Sequence, residues 1–478
     1  MTQRRPVVDA LIEFQKQRPV SFHVPGHKHG QLSGLPENLR SALQYDQTEL
    51  TGLDDLHYPE GVIEEAQKLL AEAYGAEKSF FLVNGSTVGN LAMIYAACEE
   101  GDCVIVQRNS HKSVFHALEL VKVRPVYVSP EWDRESMTAA GLSLDAVKEA
   151  IASYPKAKVL LLTYPNYYGM SSPELKDIIA YCHACQISVL VDEAHGAHFQ
   201  IGRPFPPSSL EFGADAVVHS AHKTLPAMTM GSYLHVQGNR IDANKINKYL
   251  RMFQSSSPSY LIMASLDDAR TFMQNYSQPD IRSFEEKRQR FVESLKSIPQ
   301  LEVFEADDPL KIMLRTKHYS GYQLQREMEE SGIYAELADS QQVLLILPLL
   351  KQRNTYPFAE IRSRIKEAVQ SLKEEARKTA EAEIGRQSTV SVPEITFEEI
   401  DLADSEWISY TKAMGRISAA MVIPYPPGIP LVVPGEKWTA SKLEQLMDYL
   451  AAGTAIQGEH RLGNKQVSVI QQGGFTYE

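Results

Sequence analysis

The sequence predicts an α/β protein built on a mainly parallel sheet that is buried on both faces. Residues 60–240 carry short apolar runs of Val, Ile and Leu separated by helical stretches. Those runs lack the polar–apolar alternation of half-exposed strands, so they read as strands covered by helices on both sides. The length of 478 residues leaves room for roughly three domains at about 150 residues each.

The elements follow in chain order. "GVIEEAQKLLAEAYG" spaces its apolar residues by three and four and ends on Gly75, a helix with a glycine C-cap. "SFFLVNGS" is a strand running into a glycine-bearing turn, and "NLAMIYAAC" is the helix that follows. "DCVIVQRN", "RPVYVSP", "KVLLLTYPN", "SVLVDEAHG" and "DAVVHSAHK" are further strands. "SLDAVKEAIASY" and "PELKDIIAYCHA" are helices, the second capped by Ser172 and opened by Pro173. Beyond residue 275, "DIRSFEEKRQRFVESLKSI" is a charged amphipathic helix. "LEVFEADDPLKIMLRT" and "QVLLILPLL" are strands of a smaller α/β domain, and residues 363–386 form another charged helix. "QSTVSVPEIT" reads as a linker, and "VIPYPPGIPLVVPGE" as a rigid extended loop. The expected partition is 1–60, 61–275, 276–386 and 387–478.

Composition narrows the function classes. With 48 basic and 60 acidic side chains, the net charge of −12 argues against nucleic acid or an anionic membrane as the main partner. No run of apolar residues is long enough for a transmembrane helix. Asp9, Glu13 and Gln15 interrupt the start, so no secretory signal is expected. Four cysteines make no disulfide framework and point to a reducing cytoplasm. Cys182 and Cys185 form a C-x-x-C at a helix end, where two half-buried thiols are expected rather than a redox motif.

Chemistry concentrates just after the strands, where a parallel sheet places ligands. In "VVHSAHKTLPAMTMGS", Lys223 follows a strand amid Ser220, His222 and Thr224. Asp192 follows another strand, 31 residues earlier. Taken alone, the lysine reads as a solvated surface charge. Together the two supply what pyridoxal phosphate needs: an amine to hold the aldehyde as a Schiff base, and a carboxylate to keep the ring nitrogen protonated. "VNGSTVGN" adds Ser86 and Thr87 at a helix N-terminus, suited to a phosphate or to simple capping. "RNSHKSVFHAL" places His111 after a strand, where it either caps a helix or stacks on a planar ring.

These segments, with "FHVPGHKHG", "DEAHGAH" and "PYPPGIPLVVPGE" in the same order, resemble fold-type-I pyridoxal-phosphate enzymes. The resemblance is to the Orn/Lys/Arg decarboxylase class-I family in its compact bacterial form, without the response-regulator-like N-terminal domain of the large members. It covers nearly the whole chain. It implies a fold-type-I large domain, a smaller α/β domain and a C-terminal decarboxylase domain. Lys223 is then the Schiff-base lysine, Asp192 the pyridine-nitrogen partner and His111 the stacking residue. Ser86, Thr87, Ser220 and His222 are phosphate-side ligands, and His195 lies near the phenolic edge. Lys223 and His222 are both candidates to protonate Cα. Asn166 departs from the threonine usual in the family.

The implied activity is α-decarboxylation of a basic amino acid. Arginine to agmatine stands first as the commonest assignment in the compact family, with lysine and ornithine as alternatives. Glu336 and Asp339, ahead of a strong strand, are either solvated acids or the partners of the substrate's distal cation, and His27 is a further substrate-side candidate. The resemblance also implies a homodimer or higher homo-oligomer, with the "FHVPGHKHG" loop completing a neighbour's site. Metal is not expected there, because His23, His27 and His29 lack the helical spacing of a zinc site and no acidic partner lies nearby. The loop holding Glu49, Asp54 and Asp55 reads as solvated. Two rivals stand: another fold-type-I enzyme such as an aminotransferase, with Arg416 as its carboxylate clamp, and a silent cofactor-binding regulator.

Overall fold

The structure is a computed structural model that describes residues 4–372, 389–425, 428–451 and 453–472. It is α/β with a mainly parallel central sheet. The chain divides into two compact units, residues 1–97 with 188–277, and residues 98–187 with 278–478.

In the first unit the strands run in the order Lys78–Leu82, Ser232–Val236, Ala216–His219 and Ser188–Asp192. The last two are parallel, with Leu190 opposite Ala216 and Asp192 opposite Val218. Ser232–Val236 is antiparallel to both of its neighbours. Apolar periodicity does not reveal that strand, because "SYLHV" mixes polar residues into five buried positions. Its polar atoms are satisfied inside: the Tyr233 hydroxyl donates to the Leu266 carbonyl at 2.6 Å, and His235 Nδ1 is 2.7 Å from Ser79 Oγ.

The helix Gly85–Ala97 lies hard against this sheet. A Cβ on Gly89 would stand 2.7 Å from Leu82 Cδ1 and 3.0 Å from both Val218 methyls, so only glycine permits the approach. That approach puts the helix N-terminus at the carboxyl end of the strand before it. Val62–Tyr74 ends on Gly75 as expected. Its start corrects the reading of the acidic loop. Asp54 accepts from the backbone N–H of Gly61 at 2.8 Å and of Ile63 at 2.9 Å. Burial pushes the Asp54 carboxyl up, but these N–H groups prevail and hold it below the ordinary carboxylate range. Asp54 is thus a cap and not a solvated acid. The leading helix Pro6–Lys16 buries Val7 and Leu11, and Val7 N–H donates to Asp267 at 2.9 Å.

In the second unit Val159–Thr163, Cys103–Gln107 and Arg124–Val128 form a parallel run. Val390–Ser391 then pairs antiparallel with Arg124–Val128, Val390 opposite Val128. The segment read as a linker therefore adds an edge strand to the sheet. "LEVFEADDPLKIMLRT" is a hairpin of Leu301–Glu305 and Lys311–Thr316, which pairs on through Gln342–Ile346 to Leu337–Ala338. Ile312, Leu314, Leu324, Val343 and Ile365 form the core of this smaller sheet. The helix Phe358–Ser371 covers the first part of the 363–386 expectation, and 373–388 lie outside the described residues. A last cluster gathers Trp438, Leu446, Val467 and Val469.

Two smaller expectations are corrected. Leu175–Ala184 starts after Glu174, not at Ser172, and the Glu174 carboxylate accepts from Leu144 N–H at 2.7 Å. Cys182 is buried and Cys185 exposed, so the pair is not two half-buried thiols. Among the described residues no helix is long and apolar enough to cross a membrane.

Candidate active site

In the first unit the predicted residues gather after the strands. Asp192 ends Ser188–Asp192, and Lys223 sits in the single turn Ala221–Thr224 that follows Ala216–His219. Lys223 Nζ stands 3.0 Å from His195 Nε2. Asp192 is buried; its Oδ2 accepts from Asn90 Nδ2 at 2.9 Å and its Oδ1 from Ala194 N–H at 3.2 Å. Burial pushes the Asp192 carboxyl above its ordinary range, against the opposing pull of Asn90, Lys223 and the Ala194 N–H. Ser220 Oγ donates to Ser86 Oγ at 2.8 Å, and Thr87 is exposed in the same first helical turn. His222 Nδ1 faces the Gly231 carbonyl at 3.1 Å, so that nitrogen carries the ring proton. The arrangement offers an amine for a carbonyl, a buried anion for a cationic nitrogen, and hydroxyls with N–H groups at a helix N-terminus for a phosphate.

His27, also in this unit, is engaged by its own segment. Its Nδ1 accepts from Gly30 N–H at 3.1 Å, which leaves Nε2 to donate to Asp46 at 3.1 Å. The acidic partner that local spacing did not reveal is therefore present, 19 residues on. Among the described residues no group of three metal-ligating side chains forms.

His111 belongs to the second unit, where it caps the helix Lys112–Val121. Its Nδ1 accepts from Ser113 N–H at 3.2 Å and lies 2.9 Å from Ser113 Oγ. Glu336 and Asp339 flank the strand Leu337–Ala338 and do not share an environment. Glu336 is exposed, while Asp339 is half-buried. The Asp339 carboxylate accepts from the Tyr168 hydroxyl and from the N–H groups of Gln341 and Gln342, at 2.6 and 2.9 Å for the two amides. Burial raises the Asp339 carboxyl and these donors oppose it. Arg416 is occupied by Glu406 at 2.6 Å and the Ile470 carbonyl at 2.7 Å, which makes it a structural tie.

The Orn/Lys/Arg decarboxylase major domain matches residues 5–316, and the C-terminal domain of the same family matches residues 375–460. The chain belongs to the Orn/Lys/Arg decarboxylase family. Among curated proteins it is 44% identical to YaaO of Bacillus subtilis, a protein described as uncharacterized, over 97% of this chain and 98% of that one. It is 32% identical to an arginine decarboxylase of the same organism, over 98% of each chain. Among solved structures it resembles lysine decarboxylase A from Pseudomonas aeruginosa, with TM-score 0.80 at 21% identity, over 98% of this chain and 80% of that one. That likeness shows the fold.

Within this family frame, Asn166 has a definite structural task. Its Nδ2 donates to Thr138 Oγ1 at 3.2 Å and the Ala139 carbonyl at 2.7 Å, and its Oδ1 accepts from Tyr168 and Met170 N–H at 3.0 and 2.8 Å. A threonine offers neither the second donor nor the reach of the amide. Sequence reasoning missed Asn90, a support of Asp192, and the buried Glu193 that follows it in the chain. Asn90 is 1% exposed in an otherwise apolar helical stretch, and that lone amide was the signal. Glu193 is fully buried and accepts from His219 Nε2 at 3.0 Å and Ser209 N–H at 2.8 Å. Only the fold brings those partners to it.

Proposed function

We propose that this chain is a pyridoxal-phosphate-dependent α-decarboxylase of a basic amino acid, with arginine, converted to agmatine, as the first substrate. The observation that carries the reading is Lys223 Nζ at 3.0 Å from His195, in the same unit as an Asp192 buried and oriented by Asn90 and Ala194. Family membership supports the reaction class, and the full-length relative named arginine decarboxylase supports the substrate.

The residues present fit the cofactor. When bound, it supplies an aldehyde that condenses with amines and a conjugated ring that takes up the electron pair left as the Cα–carboxylate bond breaks. Lys223 would hold the aldehyde through its amine. Asp192 would keep a proton at the ring nitrogen by presenting a carboxylate that Asn90 and the Ala194 N–H orient. Ser86, Thr87, Ser220 and His222 would hold the phosphate, and His195 would lie at the phenolic edge. His111 takes the ring-stacking role that the resemblance implies. Lys223 or His222 returns a proton to Cα.

Glu336, Asp339 and His27 are the substrate-side candidates. Asp339 already accepts three hydrogen bonds, and a carboxylate has about four lone-pair sites. It therefore meets a distal cation through what those donors leave. The partition 1–60, 61–275, 276–386 and 387–478, a homodimeric or larger assembly, a role in polyamine synthesis and a cytoplasmic location complete the proposal. The test is purified protein with pyridoxal phosphate, given arginine, lysine and ornithine in turn, with amine products identified by mass spectrometry. Agmatine should dominate; cadaverine or putrescine in its place would reassign the substrate, and no amine from any of the three would sink the reading.

A further inference from the structure

The proline-rich segment after Val422–Tyr425 has no part in the chemistry above, yet it is fastened with unusual strength inside the second unit. Arg108 Nε and Nη2 grip both oxygens of Glu436 at 3.0 and 2.8 Å. The same guanidinium takes the carbonyls of Pro430 at 2.8 Å and Leu431 at 3.3 Å. It lies 5.3 Å from the Phe115 ring and 5.5 Å from Tyr127. Glu436 also binds Lys442 Nζ at 2.8 Å and Val433 N–H at 3.1 Å. Burial pushes the Glu436 carboxyl up, but the cations prevail and hold it at about 2, so it stays charged. Prolines 424, 430 and 434 have no N–H to give, and the clamp adds to the backbone bonds that remain, Leu431 N–H to the Val422 carbonyl at 2.8 Å and Gly435 N–H to the Ser418 carbonyl at 2.9 Å.

The held segment ends against His111. Lys112 N–H donates to the Gly428 carbonyl at 3.1 Å. A Cβ on Gly428 would stand 3.3 Å from His111 Cδ2 and 3.4 Å from Nε2. One edge of the imidazole is thus fixed by Ser113, and the other faces Gly428 across a gap that an added Cβ would fill. Gly428 also has φ of +93°, where a side chain is strained.

We propose that residues 428–436 are a positioning element for the His111 imidazole, with Gly428 as the stop and the Arg108–Glu436 ion pair as the clamp that holds it there. The proposal rests on the ring-stacking role of His111. It makes a stretch matched by the C-terminal family domain part of the cofactor-side machinery. A stop displaced by a few tenths of an ångström shifts the ring, and small misplacements of groups that orient a reactant lower performance strongly.

The test is titration of apoprotein with pyridoxal phosphate, reading the dissociation constant and the visible circular dichroism of the bound cofactor. Gly428→Ala adds a methyl at the stop, and Glu436→Gln loosens the clamp without touching His111. Each should weaken affinity roughly tenfold and reduce the dichroism band. In a His111→Ala background neither should add to the loss, because both act through that ring. Additive losses in the double variants, or single variants that bind as the wild type does, overturn the proposal. If His111→Ala alone binds as the wild type does, the stacking role falls and takes the proposal with it. A strong His111→Ala loss combined with additivity overturns the positioning claim only.

Discussion

Asn90→Ala tests the electrostatic core of the site without altering any group that touches substrate. Asn90 Nδ2 donates to Asp192 Oδ2 at 2.9 Å inside the protein, where Asp192 is 5% exposed. Removing that donor leaves the carboxylate with the Ala194 N–H on its other oxygen. A hydrogen bond to a charged group is worth about 1.5–3 kcal/mol. At about 1.4 kcal/mol per factor of ten, turnover should fall roughly tenfold to a hundredfold. KM should stay within about threefold, because the lost interaction supports the reacting state and not substrate capture. Stability supplies a second readout with a definite sign. Burial raises the folded-state carboxyl of Asp192, and Asn90 opposes that rise. Loss of Asn90 raises it further. The stabilisation tied to a protonated Asp192 is fully present below the ordinary carboxylate range and lost as pH rises through the folded value. The Tm gap between wild-type and Asn90→Ala apoprotein should therefore be small in acid and widen toward neutral pH. Turnover within twofold of wild type, together with a Tm gap that does not change with pH, would refute the reasoning.

Borohydride reduction of the cofactor-loaded protein should attach the pyridoxyl group to Lys223, read in a tryptic mass map, and Lys223→Ala should abolish both the attachment and turnover. Asp339→Asn should change the ranking of arginine, lysine and ornithine in kcat/KM more than Glu336→Gln does, because Asp339 is half-buried and Glu336 exposed; equal and negligible effects would place the distal pocket elsewhere. Glu436, held down from the ordinary 4.5 to about 2, contributes about 3 kcal/mol of stability at neutral pH. That contribution is present above the ordinary value and lost as pH falls to about 2, so the Tm gap between wild type and Glu436→Gln should close over that acid window; a gap that stays constant would exclude the ion pair as its source.

Sequence alone determined the α/β class and most of the buried strands, and it set the candidate site residues beside them. Val, Ile and Leu runs buried on both faces declare themselves without partners, and reactive residues stand next to those runs because a parallel sheet presents its ligands at strand ends. Lys223, Asp192 and Ser86 were legible as candidates for that reason. The tertiary structure decided what local pattern does not encode. Ser232–Val236 became a strand because its polar atoms find partners at Leu266 and Ser79. Val390–Ser391 became an edge strand because Arg124–Val128 offered it backbone groups to pair with. Asp54 turned from a loop acid into a helix cap, and His27 acquired Asp46. Asn90 met Asp192 across 102 residues, and Glu436 met Arg108 across 328. Hydrophobic burial has a period that a single segment reveals, whereas the partner of a buried polar group is set by where distant chain is brought, and only the folded chain contains that information.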